Sequence, residues 1–227
     1  MKKVFFRALI FGASVILVSC KKNENGGNLS YRINPSNFST SVATGSTTGI
    51  TVSSTPTLTW TSGTMNISEI DFEAENENLE VEYELKNPAS INLLSPSPIL
   101  GSIDIPDGFY EEVELKIEID QTTGTNVPLA LAGQYTDANG IKTPVEFYLN
   151  EDFEISVESE NITISSEDIS AMINLRLDLL VSNVSSSDFS NASKTNGKIV
   201  VSSNSNTMIY NKVKSALNLM GDCDFEK

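Results

Sequence analysis

The chain has 227 residues, 15 of them basic and 30 acidic, with two cysteines and no histidine. A formal charge of −15 argues against binding nucleic-acid phosphates. The missing histidine excludes Ser/His/Asp and Cys/His triads, His-ligated zinc and a histidine general base.

Residues 1–19 read as an export signal. Lys2, Lys3 and Arg7 form a positive start, and Ala8 to Val18 is an apolar run of eleven residues. That is half of what a membrane-spanning helix needs, but it suits a cleaved secretory signal. The run closes on Leu17-Val18-Ser19-Cys20, which resembles the lipobox of bacterial lipoprotein precursors. The resemblance implies cleavage between Ser19 and Cys20, a diacylglycerol on the Cys20 sulfur and an acylated new amino group. Each buried acyl methylene contributes about 0.8 kcal/mol, so several chains on one residue give a lasting anchor. Cleavage would leave 208 residues with 12 basic against 30 acidic groups, a net −18. With Cys20 linked to lipid, Cys223 has no intramolecular disulfide partner, so the fold must stand on its core.

The segment 20–54 is rich in Ser, Thr, Gly and Asn and reads as the lipidated cysteine followed by a tether, although Tyr31, Ile33 and Phe38 suggest a strand inside it. A β-sandwich domain is expected over 55–203. Thr57–Thr61 and Thr64–Ala74 read as a hairpin turning at Ser62-Gly63. Apolar residues sit on odd numbers at Met65 and Ile67, then on even numbers at Ile70, Phe72 and Ala74. A period-2 strand cannot change phase without an extra residue, so a bulge is expected near Ser68–Glu69.

Leu79 to Leu85 and Val113 to Ile119 alternate apolar residues with Glu and Lys, the habit of antiparallel sheets with one wet face. Prolines and glycines between them exclude long helices, and Ile91–Leu94 fits a short strand or one helical turn. Leu129–Tyr135 and Thr143–Leu149 should pair across a turn at Asn139-Gly140. Phe153, Ile155 and Val157 form a strand, a turn follows at 159–161, and Ile162 and Ile164 form the next. Residues 166–173 fit a short helical turn, Leu175–Leu179 and Ile199–Val201 fit strands, and 182–197 a polar loop. Over 204–227 a helix is expected, capped by Asn206, stopped by Gly221 and followed by a frayed tail. The sum is an all-β protein, an antiparallel sandwich of about nine strands with a short C-terminal helix.

The order of these features, with "IDFEAE" and then Leu93, Leu94, Ile105, Pro106, Gly108 and Tyr110 leading into a long strand, resembles uncharacterised cell-envelope lipoproteins of Bacteroidota-type bacteria. The resemblance spans roughly residues 57–182. It implies an immunoglobulin- or prealbumin-like sandwich and brings no catalytic residue with it.

Candidate sites are sparse. Between Glu69 and Glu84 stand eight carboxylates and no basic residue. Such a run could feed a calcium ion, which takes six to eight oxygens, but alternation spaces carboxylates about 7 Å apart along a strand, so a solvated face is the stronger expectation. Asp137 and Asn139 open like a calcium loop but lack its remaining acidic ligands, so a hairpin turn is preferred. Asp222, Asp224 and Glu226 form a second acidic set, again weaker as a metal site than as a polar tail. Trp60 and Tyr148 are the aromatics a sugar could stack on, with Trp60 better placed as core because it shares a strand face with Leu58. No GxGxxG, GxSxG or phosphate loop occurs. No cofactor is expected, calcium being the sole candidate.

The expectation is therefore a non-enzymatic, lipid-anchored protein of the bacterial cell envelope, held at the outer membrane and facing the periplasm or the cell surface. Its sandwich would bind an envelope protein or a glycan. The alternatives are a fimbrial-type subunit assembled by strand donation, and an extracellular carbohydrate-binding module.

Overall fold

A computed structural model describes residues 26–44, 54–77, 79–86, 89–95, 99–124, 126–165 and 169–226. The expected signal, Ser19, Cys20 and the first residues of the tether lie outside them. Fifteen strands run in chain order: β1 (Gly26–Ser36), β2 (Ser39–Ser41), β3 (Thr57–Ile67), β4 (Glu69–Asn76), β5 (Leu79–Leu85), β6 (Ala89–Asn92), β7 (Ile99–Pro106), β8 (Gly108–Ile119), β9 (Leu129–Thr136), β10 (Lys142–Leu149), β11 (Phe153–Ile164), β12 (Ile169–Arg176), β13 (Lys194–Thr195), β14 (Lys198–Val201) and β15 (Gly221–Glu226). Two short helices, α1 (Ser186–Ser190) and α2 (Thr207–Lys214), fall between the late strands.

The strands form three sheets: β15-β12-β1-β7, the acidic sheet β11-β8-β4-β5, and a seven-stranded sheet β13-β14-β10-β9-β3-β2 with β6 also paired to β3. The fold is all-β and sandwich-like, as the alternating pattern predicts. Pairing is antiparallel except for β1 with β12 and β10 with β14. The first sheet and the acidic sheet stack face to face. Gly221 of β15 has no room for a side chain because Ile155 of β11 fills the space above it. Burial, and secondarily the nearby Tyr83 phenol of β5, push the Tyr31 hydroxyl of β1 above its usual pKa. Both helices lie on the seven-stranded sheet, where Phe189 of α1 stacks on Tyr135 of β9 with ring centroids 4.5 Å apart. One hydrophobic cluster joins all three sheets through residues such as Ile33, Phe147 and Leu115.

Several expectations give way to tertiary packing. β3 runs straight through Ser62-Gly63 with no hairpin, and its bulge lies between Trp60 and Ser62. Gly63 is small because a Cβ there would sit 2.7 Å from Leu131 and 3.2 Å from Leu93. The phase change at Ser68 is a crossing between sheets: β3 belongs to the seven-stranded sheet and β4 to the acidic one. Ser68 holds this corner by donating both its amide (2.9 Å) and its hydroxyl (2.8 Å) to the Glu118 carbonyl. β11 likewise continues through 159–161. Asn161 takes a left-handed conformation, φ 59°, and the inward side of the strand switches there, in step with β8 at the facing Glu111.

The strand count rises from nine to fifteen largely at the chain ends and in short segments. β1 occupies the stretch whose composition suggests a tether, and it is central, between β12 and β7. β15 replaces the frayed tail and pairs with β12. Residues 169–176 form β12 rather than a helical turn, and the polar loop contains α1, capped reciprocally by Ser185 and Asp188. Asn206 stands at the N-cap position of α2, as expected, but its side chain makes no capping bond. It sits left-handed at φ 49° and braces two segments, accepting from the Ser193 amide and donating to the carbonyls of Ser193 and Val200.

Candidate functional site

The acidic sheet presents its charged face to solvent because inward positions take the apolar half of each alternation: Ile70, Phe72 and Ala74 on β4, Val113, Leu115 and Ile117 on β8. Register decides what the other half does. Glu80, Glu75, Glu112 and Glu160 lie side by side across four strands, and Glu82, Glu73, Glu114 and Glu158 form the next row. Glu84, Asp71, Lys116 and Ser156 follow, then Glu69, Glu118 and Glu154. Directly opposite residues have Cβ atoms about 4.5–5.5 Å apart, so like charges repel across every strand boundary of the first two rows, while Lys116 opposite Asp71 relieves the third. Glu158, followed by burial and the carboxylates of Glu75, Glu114 and Glu73, pushes the Glu112 carboxyl above its usual pKa. Glu69 is raised chiefly by a hydrogen bond with Glu84, whose own pKa falls in return. Lys86 bridges the two carboxylates and its ammonium pKa rises, chiefly through the Glu84 bond.

Two groups bring three carboxylate oxygens within 4.8 Å of one another: Glu69, Asp71 and Glu84, and Glu73, Glu80 and Glu82. Calcium takes six to eight oxygens, so three carboxylates would have to bind it with both oxygens each or share it with water. Asp137 and Asn139 belong to neither group. Asp137 shapes the β9–β10 turn instead, one carboxylate oxygen accepting from the amides of Asn139 and Ile141 at 2.8 Å each, with Gly140 at φ 79°. Register places Asp222, Asp224 and Glu226 on β15 opposite Asn174, Met172 and Ser170. Their side chains, and that of Cys223, lie outside the described residues.

The seven-stranded sheet turns a different surface outward. Tyr148 on β10, Ala130 on β9, Thr64 on β3 and Asn92 on β6 form one cross-strand row. Around it a groove of ≈ 320 Å³ is lined by Thr64, Asn66, Ser90, Asn126, Val127, Ala130 and Tyr148. Tyr148 is 39% exposed, and its hydroxyl donates to Glu146 Oε2 at 3.2 Å. Lys198 holds the other Glu146 oxygen at 2.6 Å and keeps that carboxyl below its usual pKa. Burial, with Glu146 beside it, pushes the Tyr148 phenol up, so it stays protonated. Trp60 does not join Tyr148. It points inward at 3% exposure, donates its indole N–H to the Leu177 carbonyl at 3.3 Å and meets Phe147 edge to face.

The structure leaves Tyr148 exposed, and the residues around it carry no shared signal in the sequence. Thr64, Ser90 and Asn126 are scattered over 63 positions, and only strand register gathers them. The remaining charged side chains near the helices hold structure together. Asp188, 8% exposed, accepts from Ser185 and from Lys212 of α2 at 2.6 Å. Burial works to raise its pKa, but these donors together hold it below the usual value. Glu151 joins Tyr210 and Lys214 of α2 at 2.6 and 2.7 Å, and burial followed by the Glu151 bond pushes the Tyr210 phenol up to about 12.

No family model, curated protein or solved structure matches the chain. No helix among the described residues is long and apolar enough to cross a membrane.

Proposed function

We propose that the protein is a non-enzymatic, lipid-anchored component of a bacterial cell envelope whose sandwich-like body binds a ligand or partner. The observation that carries this reading is the run Leu17-Val18-Ser19-Cys20, placed between an eleven-residue apolar segment and a polar stretch only six residues ahead of β1. A lipid on Cys20 would hold the body close to a bilayer. The rows of carboxylates on the acidic sheet would keep that face turned from anionic headgroups, within the screening length of about 8 Å at physiological salt. Ser68, Asn206, Asp188 and Glu151 are committed to corners, turns and helix contacts. The test is fractionation of the full chain. Wild type should partition with membranes and Cys20→Ala should become soluble; a variant that stays with the membrane removes the anchor.

A second reading has one specific observation in its favour. β1 fills a slot between β12 and β7, with Arg32 midway along it, and Gly221–Glu226 form a strand, β15, rather than part of a helix. A fimbrial-type subunit that loses β1 by cleavage would expose two unpaired ladders, ready to accept a strand from a second copy. Recovery solely of monomers that retain residues 21–32 rejects this reading.

A further inference from the structure

We infer that the groove beside Tyr148 is a binding site for a neutral saccharide. The inference rests on the reading of the body as a binding domain and names the ligand class and the residues.

The lining is uncharged in a chain of net charge −15. Its polar members are hydroxyls and amides, which offer donors and acceptors together, as sugar hydroxyls require. Among the described residues, the hydroxyls of Thr64 and Ser90 make no hydrogen bond within the protein, whereas the Asn66 amide is fixed by donating to the Val127 carbonyl at 2.9 Å. The one ring in the groove is held before any ligand arrives, by the Tyr148 bond to Glu146 and the Glu146 pair with Lys198. That pair also neutralises the nearest carboxylate.

Shape agrees with the chemistry. Ala130 separates Tyr148 from Thr64 in the cross-strand row, and Ala132 stands between Glu146 and Ser62 in the next row. Of these two small residues Ala130 lines the groove, leaving a gap two strand spacings wide between Tyr148 and Thr64, about 9–10 Å. A pyranose ring fits that width with its C–H face toward the phenol and its hydroxyl edge toward Thr64, Ser90 and Asn126. A neutral lining does nothing to compensate an anion or a cation, so charged sugars and basic peptides are disfavoured.

The experiment uses the full chain in a zwitterionic detergent and measures binding by calorimetry. Maltotriose, cellotriose, mannotriose and trigalacturonic acid are the probes. At least one neutral trisaccharide should bind at low-millimolar concentration, and trigalacturonic acid should bind more weakly. Tyr148→Ala should weaken that binding roughly tenfold or more, while Tyr148→Phe, which keeps the ring, retains most of it. Both variants should unfold near the wild-type temperature because the ring is part-exposed. No binding by any neutral probe, preference for the acidic one, or unchanged binding in Tyr148→Ala overturns the inference. Its failure leaves the Cys20 anchor standing, and failure of the anchor leaves the groove intact.

Discussion

On the acidic sheet the row through Glu73 sets four carboxylates side by side; on the seven-stranded sheet the row through Ala130 sets Tyr148, Ala130, Thr64 and Asn92. Both rows lie on solvent faces of strands whose other faces are core. The acidic rows repel across most strand boundaries, are eased locally by Lys86 and by the Ser156 bond to Glu114, and are held in register by the apolar residues beneath, whereas the neutral row makes few demands and leaves a usable depression. A surface pattern is therefore a poor guide to what stabilises a sheet and a better guide to what can approach it.

Removing core beneath the acidic rows should have the largest effect. Leu115→Ala, at 1% exposure between the Glu114 and Lys116 rows, should cost about 2–5 kcal/mol in chemical denaturation. A smaller loss would mean that the sheet does not depend on that core. Under the neutral sheet, Asp188→Ala removes the reciprocal cap of α1 and the Lys212 pair. It should cost about 2–3 kcal/mol, with Asp188→Asn recovering part of it.

Charge changes come next. Glu112→Gln combined with Glu158→Gln should raise the melting temperature, because the rows lose a repulsion and no partner is stranded. The gain should shrink at 1 M salt, where the screening length is about 3 Å. Equivalent neutral changes around Tyr148 should leave the melting temperature where it is.

The two regions should also separate on pH. Glu112 has a folded pKa above the ordinary one, so its contribution is present in acid and is lost as pH rises through the raised folded value, while the opposite shifts of the coupled Glu69 and Glu84 offset one another. Asp188 and Glu151 have lowered values, so theirs is present above the ordinary carboxylate pKa and is lost as pH falls through the lowered one. Calorimetry should therefore show stability rising from neutral pH into mild acid and then falling. A monotonic loss from neutral pH downward contradicts the raised Glu112. The smallest effect concerns metal. Millimolar calcium should shift the melting temperature no more than sodium chloride of equal ionic strength, since each cluster has only three carboxylate residues and they lie half-buried or exposed, where water competes for the ion. A larger, saturable shift would establish a calcium site.

Alternation along single strands announced Leu79–Leu85, Val113–Ile119 and the β9–β10 hairpin with its Asn139-Gly140 turn, because a half-buried strand writes its two faces into neighbouring positions. The same signal failed at Ser62-Gly63, where glycine answers to crowding by Leu131 rather than to a turn, and at Ser68, where the phase change is a corner between sheets. Tyr31, Ile33 and Phe38 hint at a strand where β1 lies, but its central place is hidden because its parallel partner β12 stands more than a hundred positions away; β15 reads as a frayed tail because its partner stands about fifty positions away.

The sequence by itself determined an all-β chain, its half-buried strands, its charge, and the absence of any histidine-dependent chemistry, since each of these is local or compositional. Only the tertiary structure decided which strands are neighbours. It thereby stacked glutamates into rows and gathered Tyr148, Thr64, Ser90 and Asn126 around one depression. Register between distant strands is set by the closure of the whole core, and no short window of residues contains that information.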